Sequence, residues 1–151
     1  MYKAAFVVVL PILLVADATF GQTSGPQLSI SAPQDGDVVP RRLAVSGTAA
    51  ALSANRILVF VFAPGPERWF FQGEAAVAAD GTWTVEPVVI SGGAIRTADG
   101  ADRPGIVGTG VRIVATAMSE IPPGLSGVPA GDFPPPGTLA QSPIVVVTRG
   151  E

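Results

Sequence analysis

Apolar and polar residues alternate along several short segments of this chain. Residues 28–32 alternate and stop at Pro33, and residues 43–48 alternate until Gly47. Alternation with a period of two is typical of a strand that buries one face. Runs rich in Val, Ile, Thr and aromatic residues predict further strands at 69–72, 74–79, 82–85, 111–117 and 144–147.

One predicted strand differs from the others because residues 57–63 are apolar at every position. A strand of this kind has to be covered on both faces. We therefore expect it to lie in the centre of a sheet in a two-layer structure, and Pro64-Gly65-Pro66 ends it.

Turn-forming residues interrupt these segments every few positions. The 151 residues include 18 Gly and 15 Pro, which leaves little room for long helices. Asp80-Gly81 is the strongest hairpin signal in the chain. Seven or eight short strands with turns at this spacing predict an all-β fold, an antiparallel β-sandwich with Greek-key connections. A small β-barrel is the alternative.

The first 21 residues have the three parts of a secretory signal peptide. Lys3 supplies a positive charge, residues 4–15 carry no charge, and Ala16-Asp17-Ala18 forms a cleavage pattern, with a second one ending at Gly21. As a helix, residues 4–15 would reach only about 18 Å, less than the ~30 Å of a bilayer core. We expect cleavage after Ala18 or Gly21, with an uncleaved anchor as the alternative.

The predicted organisation follows from this leader. Residues 22–151 form a single domain with long loops at 91–109 and 119–141, and no stable membrane span remains after cleavage. The expected location is the periplasm, the cell surface or the extracellular space.

Composition removes most catalytic chemistry. The chain has no His and no Cys, and its only lysine (Lys3) and only tyrosine (Tyr2) lie in the predicted leader. Nucleophilic triads and zinc sites of the usual kinds are therefore excluded, and we expect no enzyme. A glycosidase-like carboxylate pair, Glu67 and Glu74 across a short hairpin, is the one chemistry left open. With a net charge of −3 and no basic stripe, we expect no nucleic-acid partner.

Several segments together resemble the bacterial immunoglobulin-like domains of exported and cell-surface proteins. The similar segments are residues 30–33 and 36–38 (first strand and turn), 45–49 (V-S-G-T-A), 57–62, 79–83 (A-D-G-T-W) and 111–117. The resemblance implies an immunoglobulin-like β-sandwich of about seven or eight strands that acts as an adhesive, spacer or ligand-presenting module. It carries no catalytic residues, and both long loops depart from the family's usual connections.

Two sets of residues are candidate sites. Trp69 and Phe71 point to the same side of a strand; beside Arg68, they would form an exposed surface for a glycan or a protein if Phe70 faces the core. The alternative is that they cap the edge of the core. The turn carboxylates Asp35, Asp37, Asp99 and Asp102 are candidate calcium ligands or plain turn formers, and no other cofactor is expected.

Three functions remain open from the sequence. The first is a non-catalytic immunoglobulin-like module that binds or presents a surface, and its partner would be a protein or a glycan at the cell surface. In such a module the proline-rich 119–141 loop would be either a recognition segment or a mobile connection. The second is an assembly subunit that pairs through an edge strand, for which the apolar 144–147 strand is suited unless it completes its own sheet. The third is a carbohydrate-binding module that uses Trp69.

Trp83 is expected between the sheets. Gly47 and Gly81 are expected at positions of close backbone approach or positive φ.

Overall fold

A computed structural model describes residues 25–53, 55–90, 95–96, 102–103, 108 and 110–150. The predicted leader and most of the 91–109 loop lie outside the described residues. None of the helices in the described part of the chain has the length and apolar character needed to cross a membrane.

Short strands account for most of the described chain. The first six are β1 (Gln27–Ala32), β2 (Val38–Val39), β3 (Arg42–Ala50), β4 (Arg56–Ala63), β5 (Arg68–Ala76) and β6 (Thr82–Val89). The others are β7 (Ile95–Arg96), β8 (Asp102–Arg103), β9 (Gly110–Met118), β10 (Val128–Pro129), β11 (Thr138–Gln141) and β12 (Val145–Arg149). A single 3-10 turn, Ala130–Asp132, follows β10.

The strands form two main sheets. The small sheet has the order β1-β3-β6, and the large sheet has the order β10-β5-β4-β9-β12-β2, with β11 also beside β9. All these pairs are antiparallel except β12 with β2. β7 and β8 pair separately as a short ribbon. The predicted all-β class is confirmed, and two facing sheets are the architecture of a β-sandwich, whereas the Greek-key connections stay a prediction.

The main core lies between the two sheets. Val45, Trp83, Val85 and Val88 of the small sheet meet alternate residues of the large sheet, which are Ile57, Val59, Val61, Ile113, Ala115, Ala117, Val145 and Val147. These side chains alternate along their strands with residues on the outer faces, as the pleat requires, except between Val85 and Val88, where the register of β6 with β3 shifts. The expected position of Trp83 is confirmed, because it is 2% exposed inside this core.

Gly47 lets the indole of Trp83 lie directly on the backbone of β3. A β-carbon on Gly47 would overlap the carbonyl oxygen of Ser29 and would lie 2.6 Å from Cζ2 of Trp83. The absence of a side chain at this position is therefore a packing requirement, as the sequence suggested.

The hairpin between β5 and β6 depends on Asp80 and Gly81. Gly81 has φ of +83°, which confirms the expected positive φ. The Asp80 carboxylate accepts hydrogen bonds from the Thr82 hydroxyl at 2.6 Å and the Thr82 amide at 3.0 Å. These two bonds, the hydroxyl first, lower the pKa of Asp80 because they favour the charged carboxylate.

Two predicted strands are one strand in the structure. The sequence predicts separate strands at 69–72 and 74–79, but β5 continues from Arg68 to Ala76 without a break, and residues 77–79 lie beyond its end. The register with β4 shifts between Val59 and Phe60, which leaves Gln72 as an extra residue, and a bulge of this kind bends a strand without ending it. The Gln72 side chain accepts a hydrogen bond from the Val89 amide at 3.1 Å, which links β5 to β6 of the other sheet.

The closing strand lies inside the large sheet. β12 pairs with β9 on one side. On its other side it pairs with β2 at Thr148 and Arg149, while the Val146 amide and carbonyl bond to Asp35 and Gly36. The strand predicted at 144–147 therefore completes its own sheet, and it is not the free edge that assembly through this strand would need.

We expect Gly47→Ala to destabilise the fold by about 3 kcal/mol or more, because the new methyl group overlaps backbone and overpacks the core. Urea unfolding measures the change. Gly65→Ala is the matched control, since a β-carbon at Gly65 has no atom within 4 Å. Equal stability of the two variants would contradict the packing role of Gly47.

We also expect the stability advantage of the wild type over Asp80→Asn to depend on pH. The folded pKa of Asp80 is lowered, so the contribution is complete above the unfolded pKa, about 4, and is lost as the pH falls through the lower folded value. Urea unfolding of both proteins between neutral pH and about pH 2 tests this. A difference that stays constant over that range, or that Glu120→Gln reproduces, would refute it.

Candidate binding surface

The outer face of the large sheet carries a second apolar cluster. Phe60 and Phe62 of β4 alternate with the core residues of that strand, and Trp69 and Phe71 of β5 lie opposite them in register. Ring centroids are 5.1 Å apart for Phe62 and Trp69 and 5.8 Å apart for Phe60 and Phe71. With Leu58, Val114, Met118, Leu125, Val128 and Phe133, these rings form what we call the outer cluster.

Residues 119–137, here called the cover segment, close this outer cluster from solvent. Phe133 stacks on Trp69 with ring centroids 4.7 Å apart and meets Phe60 edge-on at 5.3 Å. Leu125 and Val128 are buried beside them. Residues 57–61 are all buried, which confirms for them the expectation that both faces of residues 57–63 are covered. The layer that covers the outer face is a loop and not a second sheet.

Hydrogen bonds fix the middle of the cover segment to β5. β10, which belongs to the segment, pairs with β5 through Val128–Trp69 and Pro129–Arg68. The Ala130 amide donates to the Glu67 carbonyl at 2.9 Å, and the Arg68 guanidinium donates to the Gly127 carbonyl at 3.1 Å. The segment is therefore bonded to the sheet at residues 127–130, which differs from a plain connection.

The predicted aromatic site is placed as expected but is covered. Trp69 and Phe71 do share the outer face, as the alternation along the strand required. However, Trp69 is only 6% exposed and Phe71 is half-buried, so Trp69 is not part of an exposed aromatic pair, which was one of the two possibilities that the sequence left open. Arg68 is exposed and holds the cover segment. Trp69 and Arg68 therefore support the segment above them.

A shallow groove of about 530 Å³ is lined entirely by residues of the cover segment. Its walls come from Pro122, Pro123, Leu125, Val128, Pro129, Pro135 and Pro136, and Asp132 is its one ionisable lining residue. Its volume lies within the range of small-ligand sites, about 300–1,000 Å³. Proline rings give such a wall little conformational freedom to lose on binding.

The turn carboxylates Asp35 and Asp37 are used for hydrogen bonds within the protein. Asp35 accepts from the Val146 amide at 2.8 Å, and Asp37 accepts from the Gln34 amide at 2.8 Å. Within the residues that the structure describes, no group of three or more Asp or Glu side chains is placed to hold a metal ion. Asp99 and the side chain of Asp102 lie outside the described residues.

The two carboxylates considered for glycoside hydrolysis are separated by the length of a strand. Glu67 precedes β5 and Glu74 lies near its end, which places them roughly 20 Å apart at about 3.3 Å per residue. Glu74 instead forms a surface ion pair with Arg56 of the neighbouring strand at 3.8 Å. A retaining or inverting pair needs carboxylates about 5–10 Å apart.

Sequence reasoning did not find Phe133, Leu125 and Val128 as partners of the β4 and β5 rings. The apolar residues of the proline-rich segment have no regular spacing, so no helix or strand pattern marks them. The available signal was indirect: a strand that is apolar on both faces needs a second cover, and this segment holds unassigned apolar residues.

No protein-family model and no curated protein matches this chain. Membership in the immunoglobulin-like family therefore stays a prediction that rests on the motifs described above.

We expect Phe133→Ala to loosen the cover segment, because it removes the ring that stacks on Trp69 and contacts Phe60. The expected loss is about 2–3 kcal/mol, below that of a fully buried Phe. Trp69 should also become accessible, which a red shift and increased iodide quenching of tryptophan emission would report.

Leu139→Ala is the control for this variant, since Leu139 is 52% exposed and lies on β11 outside the outer cluster. A Phe133→Ala protein with the same tryptophan emission as this control would show that Phe133 does not hold the segment in place.

Proposed function

We propose that this chain is a non-catalytic, exported, immunoglobulin-like binding module that meets its partner through the cover segment. The observation that carries the proposal is the anchoring of this segment on the outer cluster, with a proline-lined groove formed by the segment's own residues. Long loops in compact domains that are fixed in this way are commonly functional. The composition, without His, Cys or a lysine beyond Lys3, supports binding over bond-making chemistry.

The chemistry of the groove favours a protein partner. Its walls are apolar and rigid, and Asp132 supplies one negative charge near them. An apolar side chain with a cationic group nearby would match this arrangement in shape and charge. Burial of Trp69 removes the exposed ring on which a carbohydrate-binding role was based.

Site-specific photo-crosslinking in the source cells tests the proposal. A photoreactive phenylalanine at Ile121 or Asp132, both exposed on the cover segment, should form an adduct with a discrete protein. The same residue at Ala44 or Thr84, exposed on the small sheet, should not. Adducts that are absent from the cover segment, or equal at all four positions, would contradict the proposal.

Charge reversal refines the same test. We expect Asp132→Arg to reduce capture of the crosslinked partner about tenfold or more, the effect of losing one well-placed charge contact. Glu120→Arg changes the net charge equally at an exposed position outside the groove lining and should leave capture unchanged. Equal losses of partner capture in both variants would indicate attraction by overall charge. Turnover of a substrate by the purified protein would refute the non-catalytic role.

A further inference from the structure

The cover segment leaves part of the outer face of the large sheet uncovered. It lies over the rings of β4 and β5, whereas three large apolar side chains on the β12 side of the sheet remain in solvent. Val38 is 72% exposed, Ile144 is 45% exposed and Val146 is 41% exposed. We call these three residues the apolar strip. Neighbouring apolar side chains that stay in water commonly mark an interaction site.

Strand alternation places the apolar strip on one face of the sheet. Val145 and Val147 of β12 point into the main core, so Ile144 and Val146 point outward. Val38 lies on β2, which pairs with β12, and it alternates with a core residue of its own strand. The three side chains therefore belong to one surface.

Arg112 of β9 borders the apolar strip. It lies opposite Val146 in register, and its guanidinium carbon is 5.2 Å from the centroid of the Phe62 ring. Phe62 packs in turn on Trp69 of the outer cluster. A guanidinium stacked on a ring keeps N–H donors in its own plane, where they can bind a carboxylate. Arg112 is thus oriented before any partner binds.

The space beside Arg112 is also kept open by the sequence. A β-carbon on Gly110, two residues before Arg112 on the same face, would lie 3.3 Å from Cγ1 of Val146. The Val146 side chain therefore lies over bare backbone of β9, and the apolar strip continues up to Arg112 without a raised side chain between them.

No ion pair neutralises Arg112 within the described residues. The ion pair found there joins Arg56 to Glu74, and Arg112 is exposed. The Asp35 carboxylate lies on the far side of β12, where it accepts a hydrogen bond from the Val146 amide at 2.8 Å. A carboxylate from another molecule would therefore find oriented donors next to an apolar surface.

The chemistry of this surface selects a protein segment as its occupant. An anionic membrane attracts clusters of basic residues, whereas one arginine borders the strip in a chain with a net charge of −3. The hydroxyl groups of a glycan need hydrogen-bond partners, which valine and isoleucine side chains do not supply. A protein segment with aliphatic side chains and a carboxylate matches both the strip and Arg112.

We propose that the apolar strip and Arg112 bind an aliphatic protein segment that carries Asp or Glu, whose carboxylate pairs with the Arg112 guanidinium. This surface differs from the groove of the cover segment, where Asp132 favours a cationic group. Binding here is therefore independent of the partner proposed for that groove.

Selection from a random peptide library displayed on phage tests this surface with protein purified from cells that express residues 1–151. The selected peptides should share an Asp or Glu flanked by Val, Ile or Leu. A synthetic peptide with that consensus should bind Arg112→Gln at least tenfold more weakly than the wild type, which corresponds to about 1.4 kcal/mol. Its affinity for the wild type should also fall as salt is added.

Arg42→Gln is the matched control, because it removes the same charge from an exposed arginine of β3 in the small sheet. This variant should bind the peptide as the wild type does. Val146→Thr tests the apolar strip separately. It keeps a β-branched side chain on β12 but adds a hydroxyl group, and it should weaken peptide binding severalfold.

Four results would overturn the proposal. The first two are selected peptides that lack an acidic residue and equal weakening by the Arg112 and Arg42 variants. The third is peptide binding that Asp132→Arg abolishes and Arg112→Gln leaves intact, which would place the binding in the groove of the cover segment. The fourth is a wild type whose mass in light scattering doubles with concentration while Arg112→Gln stays monomeric, which would assign the strip to a second copy of the chain.

Discussion

The constraint on which the rest of the structure depends is that β4 is apolar on both faces. Leu58 and Phe60 alternate with Ile57 and Val59, and all four are fully buried. One face is covered by the small sheet across the main core. The other would leave a row of aromatic rings in water, at a cost of about 25 cal/mol for each Å² of apolar surface, unless a second layer covered it. The cover segment is that layer, and its position follows from this requirement.

A proline-rich segment is physically suited to this position. A loop that lies on an apolar surface must satisfy its backbone N–H groups or leave them buried without partners. Proline has no N–H, so a segment that includes Pro134-Pro135-Pro136 has fewer donors to satisfy. Pairing through Val128 and the bond from Ala130 to Glu67 provide for others. The proline rings of the segment then form a fixed apolar surface, and the proposed binding role rests on this surface.

Turn carboxylates in this protein act as hydrogen-bond acceptors that fix the ends of strands. Asp35 bonds to Val146 of β12, Asp37 closes its own turn, and Asp80 holds Thr82 at the start of β6. Asp35 joins positions that are far apart in sequence, so it fastens the first turn to the last strand. A ligand role for Asp35 and Asp37 would have to compete with these bonds.

The sequence by itself determined most of the long strands, the all-β class, the tight hairpin at Asp80-Gly81 and the place of Trp83, because these depend on short-range periodicity and on backbone preferences of neighbouring residues. It missed β10 and β11, which lie within the segment predicted as the 119–141 loop. Only the tertiary structure decided that Trp69 is buried and that Phe133 stacks on it. Phe133 and Trp69 are 64 residues apart in the printed chain, and no local pattern encodes which loop lies over which sheet face. That choice is made by the packing of the whole chain, which places the nearest unassigned apolar residues on the face that lacks a cover.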